Sequence, residues 1–248
     1  MITVCIPAFD EASTIGLVLW RLRRVFESNP REYEVVVLDD GSTDATAATL
    51  EPYARVMPLT VIRHAGRRGY PAALDALVRA AAGRTRYPRR DALVIMQGDL
   101  TDLPEQIPAL LKPFDGGADL VVAEAGAAPG APPPVRRLRR LAPWLLRRAG
   151  RIAGVRDPLG TLRLVRVAVV RDAIKEAGPS PLASAPGWAA NAELLARLAP
   201  FARRVETVAL EPRWDLRPRP TRVRAWQGAL DLLRFARARR AIPGARAT

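Results

Sequence analysis

The sequence predicts an α/β fold in which a mostly parallel sheet is flanked by helices. Short apolar runs, such as residues 35–38 and 92–96, are typical of strands that are buried on both faces. Segments with helical periodicity separate these runs along the chain, and this alternation is typical of a doubly wound parallel sheet. Two of the runs end in acidic residues, which is where open α/β sheets place their ligand sites.

The first half of the chain is expected to supply most of this sheet. Strands are predicted at residues 2–6, 35–38, 59–62, 92–96 and 120–123, and helices at residues 15–26, 45–56, 71–82 and 104–111. Pro7 ends the first strand because proline cannot donate to a strand ladder. Asp10 or Ser13 can cap the helix that follows, and Pro71 suits the first turn of its helix. Both acidic clusters are therefore expected on the same edge of the sheet.

Residues 126–248 have a different composition. Ala, Pro and Gly dominate residues 126–134, which predicts a loop. Residues 135–152 hold seven arginines and no acid, with apolar residues at helical spacing, which predicts a basic amphipathic helix that Pro143 kinks or splits. Residues 157–170 are expected to form a strand that returns to the edge of the sheet. Beyond it we expect a helix at 188–198, a strand at 205–210, an Arg/Pro-rich loop at 213–224 and a basic amphipathic helix at 226–240.

The net charge of +14 is concentrated in the second half of the chain. Residues 1–130 carry 14 basic and 17 acidic residues, whereas residues 131–248 carry 25 basic and 8 acidic residues. This asymmetry predicts an anionic partner: phosphate, a membrane surface or nucleic acid. Nucleic acid is disfavoured, because the arginines are not interleaved with aromatic residues that could stack on bases. The segment 135–152 either packs on the sheet with a solvated arginine face or lies on a membrane surface, and the two are compatible.

Composition also disfavours several classes of protein. No apolar run approaches the length of a membrane-spanning helix, and the chain enters a strand at once, so neither a spanning helix nor a signal peptide is expected. The single cysteine, Cys5, excludes an internal disulfide and fits a cytoplasmic setting. The single histidine, His64, disfavours a histidine-based metal site and a Ser-His-Asp triad.

The segment 39–44, Asp-Asp-Gly-Ser-Thr-Asp, follows the second predicted strand directly. Gly41 permits a tight turn, and the three residues after it are good N-caps for the next helix. Asp39 and Asp40 either bind a ligand or cap this turn. Since adjacent carboxylates repel each other and one would serve as a cap, a ligand-binding role is favoured.

Several motifs resemble those of the large inverting GT-A glycosyltransferase family. Residues 6–11, Ile-Pro-Ala-Phe-Asp-Glu, resemble its opening IPAYNE, and residues 38–44 match its DDGSTD. Residues 69–73 lie where the family has a glycine before an Ala-rich helix, and Gln97-Gly98-Asp99 lies at its Asp-x-Asp position. The nearest likeness is to dolichol-phosphate mannosyltransferase-like enzymes, which move sugars onto polyprenyl phosphates. Their later motifs are matched loosely by residues 157–163 and weakly by residues 217–222.

The resemblance implies a single overall domain with a GT-A (Rossmann-like) fold. Residues 1–125 would form the nucleotide-sugar-binding core, and residues 126–248 an acceptor-binding half that completes the sheet. The implied donor-binding residues are Pro7, Ala8, Phe9, Glu11, Asp39, Asp40, Gly41, Arg67 and Gly98. The resemblance further implies a divalent cation, Mg²⁺ or Mn²⁺, on Asp99 with Gln97 or Asp102 as a helper. Asp99 and Arg163 are the implied catalytic residues, and Arg163, Arg217 and Arg222 the implied ligands of the acceptor phosphate.

The sequence departs from the family pattern at the expected metal site. Gln97 replaces the first acid of Asp-x-Asp, and Arg67 replaces an asparagine. Either the cation binds more weakly, or arginines such as Arg67 and Arg163 share in neutralising the diphosphate. An alcohol acceptor would need a general base, for which Glu193 is a candidate, whereas a phosphate acceptor needs no strong base.

Three functional hypotheses follow. The first is metal-assisted, inverting transfer of a sugar to a polyprenyl phosphate, by a cytoplasmic protein that is peripheral on the inner face of the cell membrane. The second is glycosylation of a soluble small molecule in a biosynthetic pathway. The third is a GT-A protein that binds a nucleotide sugar without catalysis.

Overall fold

The computed structural model describes residues 1–125, 130–146, 154–221 and 223–240. The strands in this part of the chain are β1 Ile2–Ala8, β2 Tyr33–Asp39, β3 Leu59–Arg63, β4 Ala92–Ile95, β5 Leu120–Glu124, β6 Arg163–Arg166 and β7 Val205–Ala209. The helices are α1 Ile15–Ser28, α2 Thr46–Ala54, α3 Tyr70–Gly83, α4 Ile107–Asp115, α5 Pro133–Leu146, α6 Val167–Ala177, α7 Ala189–Leu198 and α8 Ala225–Arg240.

The strands form one sheet in the order β3-β2-β1-β4-β6-β5-β7. β1, β2, β3 and β4 are mutually parallel, and β5 and β7 are parallel to each other. β6 is antiparallel to both of its neighbours, β4 and β5. The predicted mostly parallel sheet is therefore confirmed, and β2 and β4 end on the same edge.

Helices cover both faces of the sheet. On one face, α1 and α4 pack against alternate residues of β1, such as Val4 and Ile6. On the other face, α3, α6 and α7 pack against residues that point the opposite way, such as Cys5 of β1 and Leu38 of β2. Val4, Cys5, Ile6 and Leu38 are all fully buried, as expected of strands in a doubly wound sheet.

A third group of helices, α5, α7 and α8, forms a separate apolar cluster. α5 and α8 approach each other closely at Gly228, where an added Cβ atom would lie 2.7 Å from Leu138 Cδ2. α5 is basic and amphipathic, as predicted, with Leu138 and Ala142 on its buried side. This group provides the wall of the molecule that faces the ends of β1, β2 and β4.

The prediction for residues 157–170 was wrong in two respects. Only Arg163–Arg166 form a strand, and this strand lies between β4 and β5 rather than at the edge of the sheet. Val167–Ala177 form α6, although the sequence begins with β-branched residues. Its valines are buried against the sheet, so tertiary packing overrides their preference for strands.

Other expectations need smaller corrections. α5 begins at Pro133 and is not split at Pro143, while residues 147–152 of the predicted helix lie outside the described residues. Residues 126–129 of the predicted loop lie outside them too. The loop 213–224 contains one 3-10 turn, Trp214–Leu216. No helix within the described ranges is both long and apolar enough to cross a membrane.

Candidate active site

A cavity of about 900 Å³ lies at the carboxyl ends of β1, β2 and β4. Phe9, Asp40 and Asp99, which follow these three strands, line one side of it. The other side is lined by residues of the second half of the chain, including Arg139 of α5 and Trp214. Open α/β sheets place their ligand sites at this edge. The cavity is therefore the candidate active site.

The acidic pair after β2 holds the surrounding loops in place. Asp39 is fully buried and accepts a 2.9 Å hydrogen bond from the Ser42 amide, so it caps the turn as well. Asp40 accepts hydrogen bonds from the backbone amides of Arg68 at 3.0 Å and Gly69 at 2.7 Å. The His64 ring nitrogen Nδ1 lies 2.7 Å from the same carboxylate. Asp40 thus fixes the segment 64–69, which lines the cavity.

Gly41 is required where the β2 turn meets this segment. Its φ is +71°, and an added Cβ atom would lie 2.6 Å from the carbonyl carbon of Gly66. The space at Gly98 is less tightly restricted, because a Cβ atom added there would lie 3.1 Å from Ile6 Cγ2 in the core. Both glycines allow close approach of the backbone and lie behind the residues that line the cavity.

Phe9 and Arg67 form a stacked pair on the cavity wall. The Arg67 guanidinium lies 4.1 Å from the centroid of the Phe9 ring. Pro7 and Ala8 line the cavity beside them. The guanidinium at this wall offers a positive charge for a phosphate.

Two carboxylates on the side of the cavity formed by the strand ends are paired with arginines of the segment 213–224. Arg217 Nε lies 2.9 Å from Asp99 Oδ2, and Arg219 forms an ion pair with Glu11. Arg219 also donates to the carbonyl oxygen of Phe9 at 3.3 Å. The pairing of Arg219 with Glu11 was not predicted from the sequence, because the two residues are distant along the chain.

Glu11 is buried and has a perturbed pKa. Burial is the largest cause and raises the pKa of Glu11 to about 7, and the charge of Asp99 acts in the same direction. Arg219 opposes the shift. Glu11 and Asp99 are therefore close enough to repel each other, and a positive charge near them relieves that repulsion.

Gln97 belongs to a hydrogen-bond chain at the floor of the cavity. Its side-chain amide donates to the Tyr70 hydroxyl at 3.1 Å, and that hydroxyl donates to Asn191 Oδ1 at 2.7 Å. Arg163 donates to the Asn191 carbonyl oxygen at 3.0 Å and to the Gly160 carbonyl oxygen. Arg163 is fully buried and lies behind this chain. Its guanidinium does not reach the cavity wall, so its placement does not match the expected phosphate-binding role.

Asp102 and Glu193 also accept hydrogen bonds from groups within the protein. Asp102 accepts hydrogen bonds from the Gln97 amide at 2.9 Å and the Thr161 hydroxyl at 2.7 Å, and burial raises its pKa to about 6. Glu193 accepts hydrogen bonds from the backbone amides of Ser184 and Ala185, both at 2.6 Å. Neither carboxylate lines the cavity. Arg222, a predicted acceptor-phosphate ligand, lies outside the described residues.

The carboxylates at the strand ends fit a hard cation that takes few protein ligands. Among the described residues no group of three or more His, Cys, Asp or Glu side chains could hold a metal ion. Asp99 lines the cavity near Glu11, and a cation such as Mg²⁺ keeps several waters and needs only one or two carboxylates. Arg217 contacts Oδ2 of Asp99 and would compete with such a cation for this oxygen.

A mostly parallel sheet with acidic residues after β2 and β4 defines a GT-A domain, as the motifs implied. Residues 3–173 match the sequence model of Glycosyl transferase family 2. This match spans more than half of the chain, and the chain belongs to Glycosyl transferase family 2.

Curated relatives include the bactoprenol glucosyl transferase of Shigella phage SfV. It is 29% identical over 179 residues, which are 69% of this chain and 53% of that protein. The dolichol-phosphate mannosyltransferase of Pyrococcus furiosus is 28% identical over 121 residues, 49% of this chain and 32% of that protein. The chain spans about half the length of the first of these relatives and a third of the second.

Solved structures share the whole fold. Glucosyl-3-phosphoglycerate synthase from Mycobacterium tuberculosis, in complex with Mn²⁺, uridine diphosphate and phosphoglyceric acid, matches with a TM-score of 0.68 and 23% identity. The match covers 98% of this chain and 79% of that chain. A second complex of the same enzyme, with Mn²⁺ and UDP-glucose, matches with a TM-score of 0.66. At this level of sequence identity, the similarity to these structures establishes the fold alone.

Proposed function

We propose that this chain transfers a sugar from a nucleotide-sugar donor to a polyprenyl phosphate, with inversion and with the help of Mg²⁺ or Mn²⁺. The observation that carries the proposal is the division of the cavity into two chemically different sides. The donor side has carboxylates at strand ends, and the opposite side has arginines and tryptophans. The relatives named as bactoprenol and dolichol-phosphate sugar transferases support the class of acceptor.

The donor would lie across the ends of β1 and β2. Phe9 and the backbone of Pro7 and Ala8 would contact the nucleoside, and Arg67 would pair with the diphosphate. Asp39 is our candidate for binding the base. Its buried Oδ2 lacks a hydrogen bond within the described residues and is ion-paired with the half-exposed side chain of Arg63, which can move aside.

Asp99 would hold the cation, with Glu11 beside it. When bound, the cation supplies positive charge to the departing diphosphate. When the cation binds Asp99, Arg217 would give up its contact with that carboxylate. Gln97 donates its amide to the Tyr70 hydroxyl, and because its side chain is neutral it adds no charge to the site.

A phosphate acceptor needs no general base from this chain. A phosphate monoester is largely dianionic at neutral pH, so one of its oxygens can attack the anomeric carbon directly. The bond from that carbon to the donor diphosphate breaks, and the diphosphate leaves with the electron pair. A single displacement of this kind inverts the anomeric centre. The other cavity carboxylates support this account, because Asp75 is paired with Arg79 and Asp231 with Arg234.

A polyprenyl acceptor implies contact with a membrane, for which α5 and α8 offer a surface. Leu141 and Trp144 of α5 are 45% and 65% exposed, and Trp226 of α8 is 78% exposed. Arg140 and Arg136 are exposed one and two turns before Trp144 on the same helix face. Exposed tryptophans beside arginines fit the interface of an anionic membrane, which supports our proposal that the protein is peripheral on the inner face of the cell membrane.

Donor binding tests the first half of this proposal. Isothermal titration with UDP-, GDP- and dTDP-sugars, each with and without Mn²⁺, should identify one donor that binds in the micromolar range and more tightly with the metal. If a folded protein binds none of them, the proposal fails at its first step. Metal-dependent binding followed by transfer to phosphoglycerate but not to a prenyl phosphate would favour a soluble acceptor.

A further inference from the structure

Four side chains form a continuous row along the cavity, from Arg139 on the side opposite the donor-binding residues to Arg217 beside Asp99. The Arg139 guanidinium lies 5.7 Å from the Trp188 ring, and the Trp188 and Trp214 rings are 5.9 Å apart. The Arg217 guanidinium lies 5.6 Å from the Trp214 ring. All four residues line the cavity, and they come from α5, the start of α7 and the segment 213–224. We call them the Arg–Trp row.

The Arg–Trp row has more buried hydrogen-bond donors than acceptors. Arg139 Nε and Nη1, Trp214 Nε1 and Arg217 Nε are buried and have no hydrogen-bond partner in the described part of the chain. Buried donors of this kind normally find an acceptor, because leaving them unpaired is costly. Four such atoms on one cavity wall indicate that this wall binds a ligand rich in acceptors.

Nearby carboxylates satisfy these arginines only in part. Arg139 Nη1 lies 3.5 Å from Asp157 Oδ2, which is beyond the usual range of a charged hydrogen bond. Arg217 Nε lies 2.9 Å from Asp99 Oδ2, but without the alignment of a hydrogen bond. A phosphate monoester carries three terminal oxygens and up to two negative charges, and it would accept from both guanidiniums and from the indole N–H.

The two indole rings indicate what is attached to the phosphate. Trp188 and Val223 both pack against the apolar cluster that contains Trp214, and Leu138 also lines the cavity. Indole faces and aliphatic side chains gain free energy from contact with hydrocarbon and offer little to a polar acid such as phosphoglycerate. α5 and α8, which carry the exposed Trp144 and Trp226, continue this wall towards the surface.

We propose that the Arg–Trp row is the acceptor subsite, in which Arg139, Arg217 and the Trp214 N–H bind the phosphate of a prenyl phosphate. The faces of Trp188 and Trp214 pack against its first isoprene unit and select it over polar phosphate monoesters. This inference rests on the proposed function. Arg139 takes the place in phosphate binding that the sequence had suggested for Arg163.

Binding of farnesyl phosphate to the full chain tests the subsite, with calorimetry as the readout. Arg139→Gln should weaken the binding of farnesyl phosphate at least about tenfold, because a charged hydrogen-bond donor is lost. Trp214→Phe keeps an aromatic ring but removes the N–H and part of the indole surface, and it should weaken binding by a smaller factor, about fivefold. Arg86→Gln and Trp20→Phe, at exposed positions that do not line the cavity, are the matched controls and should leave binding unchanged. Circular dichroism confirms that each variant is folded.

Comparison of ligands tests the selectivity. Farnesyl phosphate should bind more tightly than farnesol, 3-phosphoglycerate and inorganic phosphate, each measured alone. Equal binding of 3-phosphoglycerate and farnesyl phosphate would overturn the assignment of the indole faces to an isoprene unit. Equal affinities of Arg139→Gln and Arg86→Gln for farnesyl phosphate would overturn the phosphate site.

Transfer assays separate this inference from the proposed function. Sugar transfer to farnesyl phosphate that is unaffected by Arg139→Gln and Trp214→Phe would retain the function and reject the subsite. Binding of farnesyl phosphate that depends on Arg139 and Trp214, without transfer from any donor, would retain the subsite and reject the function.

Discussion

Asp99 is the residue on which cation binding should depend most. Its Oδ1 accepts a 3.1 Å hydrogen bond from the Thr101 amide, which orients the carboxylate so that Oδ2 contacts Arg217. Asp99→Asn keeps the shape of the side chain and removes its charge. We expect this variant to lose at least about tenfold in donor affinity when Mn²⁺ is present and to lose the response to the metal.

Calorimetry of the donor, with and without Mn²⁺, measures that effect. Asp172→Asn is a suitable control, since Asp172 is exposed on α6 and far from the cavity wall. A donor affinity in Asp99→Asn that still rises with Mn²⁺ would show that the cation binds elsewhere.

Glu11 should make the stability of the protein depend on pH. Its pKa is raised from 4.5 to about 7, chiefly by burial. Because the folded state disfavours the ionised form, the stability that Glu11 contributes is fully present below pH 4.5 and is lost as the pH rises to about 7. The loss is of order 3 kcal/mol at most.

Urea denaturation between pH 5 and pH 8 tests this prediction. Glu11→Gln stays neutral, so its free energy of unfolding should fall less over this range than that of the wild type. Glu176→Gln, at an exposed position of α6, should follow the wild-type profile. If the Glu11→Gln and wild-type profiles run parallel, Glu11 does not titrate in this window.

At the scale of elements, the turn after β2 sets the position of the cavity wall. Gly41→Ala would place a Cβ atom against the backbone of Gly66 in a left-handed conformation. We expect a destabilisation of about 2 kcal/mol or more and weaker donor binding, since the segment 64–69 must move. Gly83→Ala is the control, because an added Cβ there meets nothing within 4 Å. Thermal unfolding with and without the donor measures both effects, and equal melting temperatures for Gly41→Ala and the wild type would contradict the account.

Most strands of the first half could be predicted because they are continuous apolar runs that the sheet buries on both faces, although the edge strand β3 is only partly buried. The position of β6 could not be predicted. The residues Arg163–Arg166 show no sign of which strands they pair with, and the insertion between β4 and β5 depends on the rest of the sheet. α6 was missed because burial of its valines, rather than their local preference, decides its structure.

The donor side of the site could be predicted further than the acceptor side. Phe9, Asp40, Arg67 and Asp99 follow recognisable motifs, and the structure places all four at the cavity. The Arg–Trp row and the pairing of Arg219 with Glu11 join segments that are distant in sequence. An arginine in a basic segment gives no local signal that distinguishes an exposed side chain such as Arg140 from a buried one such as Arg163.

At the scale of the whole molecule, charge is divided between the two halves of the chain. The basic half contributes α5 and α8, and their exposed side chains should attract an anionic membrane. We expect the protein to float with vesicles that contain phosphatidylglycerol and not with phosphatidylcholine alone. Arg136→Glu combined with Arg140→Glu should abolish flotation.

A matched pair on another surface controls for net charge. Arg86→Glu combined with Arg89→Glu changes the charge by the same amount on exposed residues before β4. This variant should still float. If both double variants lose flotation equally, net charge alone attracts the protein, and α5 is not the surface in contact with the membrane.

The central claim is the transfer of a sugar to a prenyl phosphate, and one assay tests it directly. The full chain is incubated with farnesyl phosphate, Mn²⁺ and the nucleotide sugar that it binds, and the products are identified by mass spectrometry and NMR. The account predicts a glycosyl farnesyl phosphate whose anomeric configuration is opposite to that of the donor, with Asp99→Asn inactive. A folded protein that binds the donor and farnesyl phosphate but forms no such product, or forms one with retained configuration, would contradict it.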